Sequence, residues 1–400
     1  MKDLKIFTNN IDEESLKQIE QLSSLKAFKN SKIRIMPDVH SGKGCVIGFT
    51  AKIHKRVIPN VVGVDIGCGI LTVCLGKIKN IDLQDLDRFI RENIPCGREV
   101  NEKSIKDTDL ERLLCYKHLR NVDHLERSLG TLGGGNHFIE VDKDDEGNLY
   151  LMVHTGSRNI GKQVCEYYQN VAINNCQVKE REKEKNKLIK KLKKQGREKE
   201  ISEKLEEFSK RWEENKLPKD LCYLEKQDYR NYLKDMAVCQ NLAFINRLII
   251  AAKIAIYLSK KYHLSTDFVK YYMDTPHNYI DGYKIVRKGA VAAYKNDEIT
   301  IPLNMRDGAI IARGKGNKDW NYSAPHGAGR VMSRSQAKQN VKLKDYKKSM
   351  EGIYSTSVNE NTIDECPMAY KNAQDIIDNI KDTVKILRII KPIYNFKAGD

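Results

Sequence analysis

The chain has 400 residues, room for one large domain or two to three ordinary ones at about 100–200 residues each. With 40% hydrophobic and 31% charged residues, it can bury a substantial core beneath a charged surface. Lys and Arg total 70 against 54 Asp and Glu, and the net charge of +16 favours a polyanionic partner: RNA, DNA or nucleotide.

No uninterrupted run of about 20 apolar residues occurs, and the longest candidate, 248–258, is broken by Lys253, so no membrane span is expected. The start, Met1-Lys2-Asp3-Leu4, is charged at once and no apolar signal core follows, so export is not expected and a cytoplasmic location is. Ten scattered cysteines then read as reduced thiols, mostly buried, one of them a candidate ligand.

Three short β-type runs each end in a polar or glycine-rich turn: Ile33-Arg34-Ile35-Met36 before Pro37, Val61-Val62-Gly63-Val64 before Asp65, and 149–153 before His154. Segment 178–220 changes character. Mixed charges dominate, apolar residues recur at helical spacing (Leu188, Ile189, Leu192, then Ile201, Leu205, Phe208), Gly196 separates the halves and Pro218 closes them. This predicts an exposed helical hairpin with a structural or RNA-steering role. A long helix is expected over 229–257 and another over 369–387. The fold class expected is α+β: one mixed catalytic domain over 1–400 with the charged insertion inside it.

Histidines 137, 154, 277 and 326 sit beside glycine, asparagine or serine at the ends of apolar runs. In Val64-Asp65-Ile66-Gly67-Cys68-Gly69 the glycines relax the turn, so Asp65 and Cys68 can face one centre; a carboxylate and a thiolate suit a divalent transition metal, and a buried free cysteine in a tight turn is the plainer alternative. Gly133-Gly134-Gly135 exposes backbone N–H groups suited to phosphate, followed by Asn136, His137, Phe138, Ile139 and Glu140. His154-Thr155-Gly156-Ser157-Arg158 offers a ligand at a strand end and a phosphate-binding Arg158. His277 lies in a proline-restrained turn with Asn278. One Asp, one Cys and three His suffice for two metals sharing a bridging thiolate. Small residues crowd His326, which suits a nucleophile, a general base or a ligand, and Arg330 and Arg334 are spaced to share a helix face towards an anion.

Taken together these pieces resemble the RtcB family of RNA-splicing ligases. The resemblance rests on Pro37-Asp38-Val39-His40 with Gly42 and Gly44, on 63–69, 133–140 and 154–158, on His277-Asn278, on 302–308, 326–330 and 364–371, and on Lys397. These run in family order along nearly the whole chain, and Pro302-Leu303-Asn304-Met305-Arg306-Asp307-Gly308 is similar to the shorter bacterial branch. The resemblance implies two manganese ions held by Asp65, Cys68, His137, His154 and His277, with Cys68 bridging. His326 would be the nucleophile towards GTP. The guanylate would be held by Asn136, His137, Phe138, Ile139, Glu140, His277, Asn278, Pro302, Leu303, Asn304, Met305, Ala309, His326, Gly327, Ala328, Gly329 and Lys397, with Tyr370 near the guanine. Cys366 stands where most relatives are expected to carry alanine.

The implied reaction joins RNA ends bearing a 2′,3′-cyclic phosphate or 3′-phosphate to 5′-hydroxyl ends at the cost of GTP, in RNA repair or tRNA splicing. The chain would act as a monomer, away from membranes, with archease as a potential activating partner. Alternatives are a 3′-phosphate guanylyltransferase that caps without sealing, a metal-loaded RNA-binding protein that has lost catalysis, and a metallophosphatase; the last leaves His326 and the glycine loop without a role.

Overall fold

The computed structural model describes residues 3–42, 44–105, 108–264 and 271–398; Met1 and Lys2, part of the stretch read against export, lie outside them. Leu149–Thr155 shows how the fold is built. Its side chains alternate, so Leu149, Leu151 and Val153 enter one hydrophobic cluster while Tyr150 and Met152 enter another on the opposite face. Its neighbours follow the same parity: Leu71 and Val73 against Ile70, Ile139 and Val141 against Phe138, Phe396 and Tyr394 against Asn395 and Lys397.

These strands belong to an antiparallel seven-stranded sheet ordered Glu298–Asn304, Gly308–Gly314, Val384–Lys397, Phe138–Lys143, Leu149–Thr155, Gly69–Gly76, Tyr272–Pro276. The sheet curls until its first and last strands meet: Thr300 N donates to Thr275 Oγ1 (3.2 Å), and the hydroxyls of Thr72 and Thr300 lie 2.8 Å apart. A small apolar cluster of Ile70, Phe138, Tyr150, Met152, Ala309, Ile311 and Ile390 fills the inside. The outer face packs on the helices Leu83–Asn93 and Lys226–Tyr262. A second, five-stranded sheet is ordered Leu4–Ile6, Ile33–His40, Ile47–Lys52, Ile285–Lys288, Asn278–Ile280.

The 37-residue helix Lys226–Tyr262 serves both cores. Tyr229, Tyr232, Met236, Cys239 and Leu242 join the cluster beside the five-stranded sheet, and Ile250, Ile254 and Leu258 join the one behind the seven-stranded sheet. This helix is long and apolar enough to cross a membrane by length and composition alone, despite Lys253, but more than half of its apolar stretch is buried inside the protein, as in a core helix. All ten cysteines are free thiols.

The charged segment forms helices Glu180–Lys194 and Ile201–Asn215, turning at Gly196 (φ +69°). Three local expectations need correction. Val61 and Val62 are helical, in Pro59–Val62, because Pro59 at the first helical position pre-sets φ and Gly63 (φ +106°) ends the turn. The helix expected over 369–387 is confined to Ala373–Asn379. From Val384 the β-branched residues Val384, Ile386, Ile389 and Ile390 instead feed a 14-residue strand. The strand beginning at Ile33 runs through Pro37 to His40, and the proline is tolerated where the ladder to the next strand loses register between Ile35 and His40.

Candidate metal and nucleotide site

Four chain segments bring five potential ligands to the mouth of the curled sheet. His154 shares the inner-face parity of Tyr150 and Met152. The 65–68 turn precedes Gly69–Gly76, pressed against the long helix: a Cβ on Gly67 (φ +74°) would lie 2.9 Å from the Cα of Gln240. A Cβ on Gly156 would lie 2.1 Å from Asp65 Oδ1, so glycine there leaves the carboxylate its space. His277 follows Tyr272–Pro276, and its N–H donates to Cys68 O at 2.8 Å. His137 opens Phe138–Lys143; its Nδ1–H donates to Leu132 O at 2.9 Å, turning Nε2 towards Asp65 and Cys68.

The resulting donors form two triads, Asp65–Cys68–His137 and Cys68–His154–His277, each with its ligand atoms within 4.8 Å of one another. Cys68 belongs to both. Its Sγ lies 3.3 Å from His154 Nε2 and 3.6 Å from His137 Nε2, and Asp65 Oδ2 lies 3.1 Å from His137 Nε2. Burial drives His154 and His277 well below the usual imidazole range, reinforced by neighbouring cations, so both are neutral and able to ligate. Burial raises Asp65, yet bonding to His137 and that ring's charge outweigh it and hold the carboxyl down. Burial and the Asp65 charge push the Cys68 thiol well up, so its thiolate needs a cation beside it. Asp65 Oδ1, His154 Nδ1 and His277 Nδ1 are buried without hydrogen-bond partners. A sulfur, a carboxylate and three imidazoles, with polar atoms left open among them, fit a pair of divalent transition cations sharing the sulfur.

His326 sits beside this cage, its ring centroid 4.9 Å from that of His277. One carboxylate oxygen of the fully buried Asp38 accepts from its Nδ1–H (2.6 Å) and from its backbone N–H (3.0 Å). A carboxylate can only accept, so the proton stays on Nδ1 and the lone pair on Nε2. The ring lines a cavity of about 1140 Å³ shared with His154, His277, Asn136, Phe138, Glu140, Lys397 and the 302–305 and 327–329 segments.

The remaining expected residues divide. Ile139 packs in the outer cluster and Ala309 inside the curled sheet, so neither side chain lines the cavity. Asn278 holds the metal turn: its Nδ2 donates to Asp65 O (3.3 Å) and its Oδ1 accepts from Gly289 N (3.0 Å). Arg158 does not line the cavity; its guanidinium packs behind the glycine loop, donating to Thr131 Oγ1 (3.2 Å) and Gly97 O (3.4 Å). Of the 133–136 loop only Asn136 reaches the cavity. Arg330 and Arg334 share no helix, since Arg334 begins one, but both reach Glu365, at 3.2 and 2.8 Å. Tyr370 donates to Glu365 Oε2 (2.6 Å), and Cys366 packs with Met305 and Tyr346.

Four supporting residues complete the site; Glu365 lies in the 364–371 stretch that carries the resemblance, and the other three carry no signal of their own in the sequence. Glu365 pairs with Lys397 at 2.7 Å; burial raises its pKa, but the cations Lys397, Arg334 and Arg330 prevail and hold it at about 2. Asn395 donates to Glu140, whose carboxyl burial raises to about 7 beside the equally buried Asp142. Arg247, on the long helix, grips Asp274 bidentately (2.7 and 2.9 Å) and donates to the carbonyls of Gly67 and Thr155 (2.8 and 3.0 Å). Asn246 beside it accepts from the N–H of Gly130 (2.7 Å) and donates to Gly156 O (3.1 Å). These two adjacent side chains thus tie together the segments that carry all five ligands.

Comparison with known proteins finds relatives along nearly the whole chain. The family model described as "tRNA-splicing ligase RtcB" matches residues 18–124 and 115–398. The chain is 29% identical to the RNA-splicing ligase RtcB of Escherichia coli K12, covering 99% of this chain and 97% of that protein. It is 26% identical to the tRNA-splicing ligase RtcB of Aeropyrum pernix over 94% of this chain and 89% of that one. An RNA-splicing ligase RtcB homolog of Entamoeba dispar is 24% identical over 91% and 80%.

Proposed function

The chain belongs to the RtcB family, and from that premise we propose that it is an RNA ligase joining 2′,3′-cyclic phosphate or 3′-phosphate ends to 5′-hydroxyl ends, with GTP as co-substrate. The observation that carries the reading is the juxtaposition of two ligand triads sharing Cys68 with a histidine whose Nδ1 proton is fixed by Asp38.

Asp65, Cys68 and His137 would hold one cation and Cys68, His154 and His277 the other; manganese is the metal of this reading, and the pair would neutralise phosphate charge. His326 attacks the α-phosphorus of GTP through Nε2; a P–N bond forms, the bond to the β-phosphate oxygen breaks, and pyrophosphate leaves. The imidazolium that develops is stabilised by the Asp38 carboxylate at 2.6 Å, which keeps its own charge throughout. A cyclic RNA end is first opened by water. The resulting 3′-phosphate takes the guanylate from His326, and the RNA 5′-hydroxyl then displaces GMP to form the phosphodiester. Activation is needed because a phosphate monoester alone has a poor leaving group. Lys397, seated 5.1 Å from the Phe138 ring and paired with Glu365, supplies a buried cation on the inner face for the nucleotide.

The test is denaturing electrophoresis after incubation with α-labelled GTP. Label should stay on the protein and vanish in His326→Ala; label persisting on the variant would defeat the histidine-guanylate step. A joining assay with a cyclic-phosphate RNA and a 5′-hydroxyl partner separates sealing from capping.

A further inference from the structure

The helical hairpin is absent from this account, yet its charges are strongly sorted. Acidic residues on its first helix are confined to Glu180, Glu182 and Glu184; between Glu184 and Glu198 lie seven cations and no acid. The acids near the root are matched internally, Lys183 with Glu180, Lys185 with Glu182 and Lys187 with Glu184 (3.3, 3.7 and 4.0 Å). Beyond them Lys190, Lys191, Lys193 and Lys194 are exposed and have no acidic partner among the described residues.

Spacing sets their direction. Lys187, Lys190, Lys191 and Lys194 are three, four and seven residues apart and so share one helix face. Leu188, Ile189 and Leu192 occupy the opposite face, where the helix meets Ile201–Asn215 with its stripe of Ile201, Leu205, Phe208 and Trp212. The apolar surfaces of the two helices are therefore used on each other, and what points outward is charge. Favourable alignment with the helix C-terminus accounts for one or two lysines in the last turn, but not for a stripe that begins two turns earlier.

The root is anchored near the cavity rim. Asn60 Nδ2 donates to Asp220 Oδ1 (2.9 Å), Gln169 Nε2 to Lys219 O (2.7 Å) and Gln177 Nε2 to Leu217 O (2.6 Å). A Cβ on Gly44 would lie 3.1 Å from the Cβ of Asp220, and Ser41 of that same connection lines the cavity, as does His40 just before it. A 15-residue helix at about 1.5 Å per residue carries the stripe roughly 20 Å beyond the root.

We infer that the stripe Lys187, Lys190, Lys191 and Lys194 is a docking surface for the phosphate backbone of RNA, engaging the strand away from its reacting ends. The inference rests on the RNA-ligase reading and deepens it by locating a second, sequence-independent contact.

The experiment uses the full chain and a 20-nucleotide RNA ending in a 3′-phosphate, with affinity measured between 50 and 200 mM salt. The variant Lys187→Gln/Lys190→Gln/Lys191→Gln/Lys194→Gln should bind at least about tenfold more weakly. Its slope of log K against log salt should be shallower by up to about 3, four phosphates at ~0.7 each. Label transfer from GTP should be unchanged. The fourfold Arg variant should bind as the parent does. An unchanged affinity and slope in the Gln variant, or lost binding in the Arg variant, would overturn the inference. Should the Gln variant not fold, acetylation footprinting of the parent decides: RNA should protect Lys190, Lys191 and Lys194, and protection by polyglutamate but not RNA, or by neither, refutes it. Failure of the parent to label with GTP would instead count against the ligase reading, which keeps the two distinguishable.

Discussion

Replacing Asp38 by Asn removes one negative charge and little else. The carboxylate is fully buried, and one of its oxygens receives both the Nδ1–H of His326 and that residue's backbone N–H. Hydrogen bonds to a charged group contribute about 1.5–3 kcal/mol. At about 1.4 kcal/mol per tenfold, losing that term as positive charge develops on the ring slows guanylate formation by about 10- to 150-fold. An amide also carries N–H groups, so a flipped Asn would favour the tautomer protonated on Nε2, which cannot attack, and the loss would grow. The assay is single-turnover labelling with α-labelled GTP, alongside metal content and thermal unfolding. Metal content should be unchanged, because Asp38 touches none of the five ligands' donor atoms in the described hydrogen bonds. A labelling rate in Asp38→Asn equal to that of the parent would refute the orienting role.

Two further outcomes follow from the geometry. Cys68→Ala removes the atom common to both triads and should weaken both cations, whereas His277→Ala should weaken one; equal metal stoichiometry in Cys68→Ala and the parent, by native mass spectrometry, would rule out sharing. Glu140 is raised by burial from 4.5 to about 7, so the folded state favours its neutral form: that contribution is complete below pH 4.5 and is lost as pH rises through 7. Glu140→Gln should therefore exceed the parent in stability at pH 8 by about 3 kcal/mol and match it near pH 4.5; denaturant melts showing a pH-independent difference would contradict this.

The clustering of the five candidate ligands is legible because they are reactive types placed in glycine-bearing turns at the ends of apolar runs, as in Asp65-Ile66-Gly67-Cys68 and at His154 after 149–153. Alternation alone put His154 on the inner face. What escaped lies inside patterns that look ordinary. Asn246 and Arg247 interrupt a helix whose apolar period dominates, and only the fold shows that they hold the ligand loops. Arg158 reads as a phosphate ligand from composition, and only the fold shows its guanidinium donating to Thr131 and Gly97 behind the glycine loop. The last strand was misread because Ala369 to Leu387 is apolar at intervals that suit either element, and the turn at 380–383 decides between them.

The grip of Asn246 and Arg247 also bears on assembly. Because backbone carbonyls and a buried Asp274–Arg247 pair already fix the loops, the candidate ligand cluster should form with the folded polypeptide and should not need ions to nucleate it. Loading then becomes a late, reversible event: a chelator should strip the centre while leaving the scaffold standing, and re-addition should restore it without refolding.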